Sequence, residues 1–559
     1  MEALSLKKIL WVSMVIISCL LLFSKYYSFG NEYFFVLVSV LFINVALGFI
    51  SNKRFLYAIP VIIMAVWFIQ LYIGMQQWLD AKNYGDVIAL VVNGTLQNSG
   101  VYACYLVVHL PFLGIFSSLF SKERRKENIW SHPILYWVGI FLLPFLFILC
   151  CFLVYQTQSR TAYIALPVTI TGWLFLKKRT WLLYKIKQQP RIIFFVGVGV
   201  ILIIAAVVLN HLFEMKKMSA MGRLMRTEIA LQHIADQFWL GTGIGRFSWY
   251  YPQWQVQYFK ETPDPPKDYF LSADESYIIF NEYLQWFETV GIVGAGITFF
   301  LLICFFKAKS ENHRPLLNTL KLIVVVIMIC GFTTYPLHIN TFLLLLAFCF
   351  VAVLKLSDSI PSIPLLKRKK TSLIKNRATC ALRRAFLALG ILLWGLSGYK
   401  GITELIAAQQ WQQMRDGYIP QIHIEERYAE WYIKLKDNGK FLTEYSIALT
   451  RNANNQLATK ILTEAQLLFI SRVSIEATAA AYSKQKDYLK AIDCWLWVCY
   501  YLPNKFVPKY ELLKLYQSTN DIVNIKRVAS TIITMPVKIP SVEVNKIKQE
   551  ASNILKELR

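Results

Sequence analysis

The side chains best equipped for chemistry fall in three parts of the 559-residue chain. Asp274, Glu275, Asn281 and Glu282 stand in a short stretch that runs through Gln285 and Glu288 into an apolar segment. Carboxylates entering lipid are costly and are functional candidates by default. One of raised pKa can accept a proton from an attacking hydroxyl. Arg160 sits in the polar turn 156–163 between two apolar segments, while Arg223, Arg226 and Arg246 share one long polar segment. Guanidinium forks match phosphate oxygens bidentately, so these arginines converging on a diphosphate would stabilise it as it departs, without a metal. His338, in Tyr335-Pro336-Leu337-His338, is a further possible base.

Each has a plainer role. Arg160 can snorkel to the headgroups, although it is an isolated positive charge on the face that the distribution of basic residues disfavours. The carboxylates and amides can cap a helix and bond to its neighbours. A lone histidine at a membrane boundary is commonly structural. The glycines of Gly241-Thr242-Gly243-Ile244-Gly245 lack both the lysine of a phosphate-binding loop and the dinucleotide fingerprint; they predict a tight turn with positive φ.

The elements that must position these groups are membrane helices. The chain is 56% hydrophobic and only 17% charged, and its apolar residues are bunched into runs of the length a bilayer demands. Spans are expected near 8–24, 33–51, 55–74, 99–120, 132–156, 160–177, 191–211, 288–306, 317–336, 339–356 and 385–402. The first follows Lys7 and Lys8 with no small-residue cleavage site behind it, so it reads as a retained helix.

Every second connection is basic: Lys53 and Arg54, then Lys122 to Lys126, then Lys177 to Arg191, then Lys307 to Arg314, then Lys367 to Arg384. Basic residues in short loops stay cytoplasmic, which places the N-terminus inside and the segments 75–98, 212–287 and everything beyond 402 outside. Much of the formal charge of +25 is therefore a topology signal, carried in segments that membrane spans separate, not a nucleic-acid surface. Most cysteines lie in apolar spans, and Cys494 and Cys499 are not spaced as a metal pair, so neither a disulfide framework nor a zinc site is indicated.

The expected domains are a membrane unit, 1–402, with its large outer segment at about 212–287, and a soluble helical unit, 403–559. In the latter, Ala479, Tyr482, Ala491, Trp495, Val498 and Pro503 follow the 34-residue helix-turn-helix repeat. Leu512 and Tyr516 continue it, but no alanine stands where Ala491 would recur. An unrelated helical bundle is the alternative, and either form is suited to docking, not to chemistry.

Four stretches together resemble the O-antigen ligase superfamily, which also holds O-antigen polymerases and bacterial protein O-oligosaccharyltransferases. They are Asn93-Gly94-Thr95-Leu96-Gln97-Asn98, Ser159-Arg160-Thr161-Ala162, Gly222-Arg223 leading to Gly241-Thr242-Gly243-Ile244-Gly245, and Asn281-Glu282-Tyr283-Leu284-Gln285 with Gly291 and Gly294. The resemblance covers about residues 90–340. It implies an all-α, GT-C-like polytopic bundle in a bacterial inner membrane. The implied activity is a metal-independent inverting transfer, needing no cofactor, of a glycan from an undecaprenyl-diphosphate carrier to a hydroxyl of a lipid or protein acceptor in the periplasm. It implies that Arg160 and Arg223 hold the diphosphate. The family's histidine before the Asn of the last motif is Phe280 here, which cannot take a proton. In this the chain resembles a Bacteroidota-like branch that carries a repeat-containing tail. The base is then to be sought among Glu282, Glu275, Asp274 and His338. Polymerisation of lipid-linked repeat units shares the fold and donor chemistry, and transport of a glycolipid is a third reading.

Overall fold

The computed structural model describes residues 55–119, 133–188, 190–214, 217–243, 245–357, 402–417 and 424–558, with isolated positions between 388 and 400. The expected spans at 8–24 and 33–51 lie outside the described residues, as does nearly all of 385–402. Among the described residues every extended element is helical. Four helices are long and apolar enough to cross a membrane: Ala58–Tyr84, Ser99–Phe116, Gly139–Gln156 and Glu282–Lys307. Asn340–Val353 is a shorter apolar one.

The membrane unit is built of α1 (Phe55–Tyr84), α2 (Ser99–Leu119), α3 (Pro133–Gln156), α4 (Arg160–Gln188) and α5 (Arg191–Glu214). The polar segment that follows holds α6 (Lys217–Gln232), α7 (Phe247–Glu261) and the short α8 (Lys267–Ser272). Then come α9 (Glu282–Lys307), α10 (Arg314–Cys330) and α11 (Asn340–Leu356). Helix α2 lies at the centre, with Tyr102, Leu106, Val107 and Phe112 fully buried against α1, α4 and α10. Polar groups there are satisfied inside the bundle, as lipid requires: Trp67 Nε1 donates to the Leu106 carbonyl (3.1 Å) and the Tyr102 hydroxyl to that of Gln70 (2.8 Å).

Helix ends differ from the hydropathy boundaries wherever polar residues continue a helix. Helix α1 runs ten residues beyond the expected end of its span, to Tyr84, and α4 carries on through its basic residues past a kink at Lys178. The segment 75–98 is thus partly helix. The rest folds onto α1: Gln77 Oε1 accepts from the backbone N–H of Asn93 (3.0 Å) and Gly94 (2.8 Å), and Gln70 Nε2 donates to the Thr95 hydroxyl (2.7 Å).

Helix α9 is broken at Gly291 (φ 63°, ψ −173°). There the Gly241 turn lies along it: Thr242 and Gly243 donate to the carbonyls of Glu288 (2.7 Å) and Thr289 (2.9 Å), and Ile292 donates to that of Phe238 (2.8 Å). Gly241 (φ 72°) and Gly291 face each other so closely that a Cβ on either would come within 2.5 Å of the other strand's backbone. Only glycine fits both the space and the left-handed geometry. Gly243 and Gly245 also have positive φ (93° and 77°), as their spacing predicts.

The C-terminal helices are α12 (Ile424–Leu435), α13 (Gly439–Arg451), α14 (Asn455–Leu468), α15 (Arg472–Lys484), α16 (Tyr488–Tyr501), α17 (Phe506–Ser518), α18 (Ile522–Thr534) and α19 (Val542–Glu557). Successive helices pack as antiparallel neighbours. Their tight turns recur: the positive-φ residues Ala453, Lys486 and Asn520 stand 33 and 34 residues apart. After each, the next backbone N–H returns to the carbonyl of Leu449, Tyr482 or Tyr516. Asp487 and Asp521 then cap the following helix through Lys490 N and Asn524 N. Where Ala491 would recur, Ile525 is buried instead. Residues 402–415 are also helical, and Ala407, Trp411 and Met414 pack into the first core of this unit with Tyr428, Trp431 and Phe441.

Candidate active site

The polar segment of α6 to α8, the turn 331–338 and the start of α9 meet in one place. Arg223 and Arg226 project from α6 with their guanidinium carbons 4.9 and 5.1 Å from the centre of the Phe280 ring. Phe280 is held in the left-handed region (φ 64°), which a bulky side chain adopts only under constraint. Tyr335 meets the ring edge-on at 5.3 Å, and Gln285 Oε1 accepts from Ile279 N (2.9 Å), fixing the approach to Phe280. The ring in the histidine's place is a platform on which two cations rest.

Arg223 donates through Nη1 to the Thr333 carbonyl (2.7 Å). The Thr333 hydroxyl is 2.5 Å from that of Thr161, the residue after Arg160 at the start of α4. Burial foremost, with the charges of Arg160 and Arg226 added, lowers the Arg223 pKa to about 10. Arg226 is lowered chiefly by burial, and its Nε has no hydrogen-bond partner. The three guanidinium charges act on one another, a field that favours an anion.

On the other side of the turn lies Glu282, only 7% exposed. Its N–H donates to the Gly331 carbonyl (2.8 Å), and its Oε1 accepts from Leu337 N (2.7 Å) and faces His338 Nδ1 at 3.2 Å. Two residues picked separately from the sequence as bases are therefore partners. The carboxylate fixes the ring's orientation and favours the proton on Nδ1.

The remaining sequence candidates have other surroundings. Asn281 is the N-cap of α9, its Oδ1 accepting from Tyr283 N and Leu284 N, both at 3.1 Å. Asp274 Oδ1 accepts from Glu275 N (2.9 Å). Glu275 accepts from the Tyr277 hydroxyl and from Arg472 N (2.8 Å) at the start of α15. Arg246 points to the C-terminal unit, donating to the Leu467 carbonyl (3.0 Å) and lying over the Trp249 ring at 4.6 Å. Glu288, 2% exposed, has no partner for either carboxylate oxygen.

The C-terminal unit backs this site. Gln255 Nε2 donates to the Tyr501 carbonyl (2.6 Å), Asn504 Nδ2 to those of Ala273 (2.7 Å) and Leu271 (3.0 Å), and Trp249 Nε1 to that of Gln466 (2.9 Å). Tyr277 packs on Phe469 at 4.8 Å. The segment 271–277, which leads to Phe280, is thus held from behind by Phe469, Arg472 and Asn504. Thr333, Phe280 and this backing were not read from the sequence as site features. The only signal for any of them was the Phe-Asn dipeptide itself.

No curated protein and no solved structure matches the chain. Residues 145–299 match the family model described as O-antigen ligase, a region that contains Arg160, Arg223, Arg226, Phe280 and Glu282. Residues 145–299 thus carry an O-antigen ligase domain within an all-helical membrane protein.

Proposed function

We propose that this protein transfers a glycan from an undecaprenyl-diphosphate-linked donor to a hydroxyl of a lipid or protein acceptor, on the periplasmic face of a bacterial inner membrane. The reading rests on the family match and on one observation: Arg223 and Arg226, partly buried beside the charge of Arg160, lie across a single turn from a carboxylate–histidine pair. The orientation rests on the alternation of basic loops, with the N-terminus cytoplasmic and the C-terminal unit periplasmic.

Arg160, Arg223 and Arg226 hold the diphosphate, with Phe280 keeping two of them aligned. The acceptor oxygen attacks the anomeric carbon from the side opposite the diphosphate. A new C–O bond forms as the bond to the phosphate oxygen breaks, so the configuration inverts. The acceptor's proton passes to His338 Nε2, and Glu282 stabilises the imidazolium through Nδ1–H. The arginines take up the charge that develops on the diphosphate, which makes the step metal-independent. The 33- and 34-residue turn period supports a tetratricopeptide-like array, whose role is to dock the acceptor beside the outer segment.

The test is transfer in membranes supplied with a polyprenyl-diphosphate oligosaccharide, comparing the intact chain with Arg160→Ala, Arg223→Ala and His338→Ala at matched protein levels. Loss in all three supports the assignment, and the product identifies the acceptor; if that acceptor is a second lipid-linked repeat unit, the protein is a polymerase. Undiminished transfer by the arginine variants refutes the diphosphate clamp.

A further inference from the structure

We infer that Thr333 is a positioning residue whose hydroxyl, paired with that of Thr161, sets the separation between the arginines that hold the donor and the Glu282–His338 pair. The inference rests on the function proposed above and assigns a role to two hydroxyls outside the arginine and carboxylate set.

The turn 331–338 bonds to both halves of the site. Its Gly331 carbonyl takes the Glu282 N–H, its Leu337 N–H and His338 ring meet Glu282 Oε1, and its Tyr335 ring abuts Phe280. At its middle, the Thr333 carbonyl takes Arg223 Nη1 at 2.7 Å. The same residue's hydroxyl reaches Thr161, at the head of the helix that begins with Arg160. Thr333 therefore joins Arg160's helix, Arg223 and the histidine-bearing turn. Removing the hydroxyl pair leaves each group present and lets the turn shift relative to α4. A misplacement of about 1 Å between reacting groups costs on the order of 10²-fold in rate while leaving ground-state binding largely intact.

Thr333→Val keeps the shape and deletes the hydroxyl, and Thr333→Ser keeps the hydroxyl. Thr161→Val attacks the same contact from the other helix. In purified protein with a polyprenyl-diphosphate oligosaccharide, Thr333→Val and Thr161→Val are expected to lower kcat by about 10- to 100-fold, with donor KM within about 3-fold of the parent. Thr333→Ser should retain activity near that of the parent, and the double valine variant should be no worse than either single one. A Thr333→Val protein of parental kcat overturns the inference, as does a Thr333→Ser protein as impaired as Thr333→Val. So does a loss that appears equally in KM and in thermal stability, which marks mere unfolding. Arg223→Ala and His338→Ala run alongside: if these remain active the function itself is wrong, whereas if they fail and the threonine variants do not, only the positioning role is.

Discussion

Glu282 and His338 are 56 residues apart in the chain, yet Oε1 of one lies 3.2 Å from Nδ1 of the other, with the Leu337 N–H on the same oxygen at 2.7 Å. The helix pair α9 and α10 makes this contact by carrying the chain down from Glu282 and back to the turn 331–338.

Because the two act as a unit, Glu282→Gln and His338→Ala should each lower kcat by about 10²- to 10⁴-fold, the range for a lost general base. The double variant should fall no further than the worse single one. Single-turnover transfer measures this, and additive losses would show that the residues act separately.

Glu288 provides the contrast among the buried carboxylates. Both of its oxygens lack partners, so Glu288→Gln removes a costly buried acid and should leave transfer within about 3-fold of the parent and thermal stability unchanged or higher. A loss as deep as that of Glu282→Gln would place Glu288 in the chemistry.

The arginine cluster stores repulsion that a diphosphate relieves. Inorganic pyrophosphate or a short-chain polyprenyl diphosphate should therefore raise Tm, by several degrees at saturating concentration. Arg223→Gln should abolish most of that rise. The sign of the pH effect follows from the Arg223 pKa of about 10, below the usual guanidinium value. At neutral pH the group is charged in both folded and unfolded chains and the repulsion is present in full. It eases only as pH climbs above about 10, where the folded form releases its proton first.

Gly291→Ala should be among the most damaging single changes in the outer half of α9. Its Cβ would lie 2.4 Å from the Trp239 backbone at a positive φ, and Gly241→Ala repeats the collision from the other side. Either should sharply lower the yield of folded protein or its Tm, whereas Gly296→Ala, with open space around it, should not.

Asn504→Ala removes two hydrogen bonds to the backbone of 271–273, both from a buried amide, at a cost of about 1–3 kcal/mol. Hydrogen exchange in 271–281 should quicken while that in α2 stays slow. Uniform protection in both would mean that the C-terminal unit does not brace this segment.

Hydropathy located the apolar helices α1, α2, α3, α9 and α11 because lipid imposes a length and a composition that can be counted along the chain. It placed their ends less well: Gln77 and Lys178 continue helices whose polar residues suggested loops, since a helix satisfies its own backbone bonds outside lipid as well as within it. Arginine and carboxylate at a membrane boundary are conspicuous for the same reason of cost, which is why Arg160, Arg223 and Glu282 stood out. What could not be read was pairing. Nothing local to Glu282 marks His338 as its partner, and nothing local to Thr333 marks it as the point where Arg223 and Thr161 meet. Asn281, by contrast, carries a local signal for what it does, an Asn immediately before an acidic first turn, and its cap is visible in the structure.

The bracing of residues 271–277 by Phe469, Arg472 and Asn504 also bears on the order of events during synthesis. A nascent chain inserted as far as residue 402 already has its arginines and Glu282, yet the segment leading to Phe280 has nothing behind it until some hundred further residues have been made and folded on the same face. Under the proposed function, maturation of the site is thereby deferred to the end of translation, and a truncated chain is expected to leave its donor unspent.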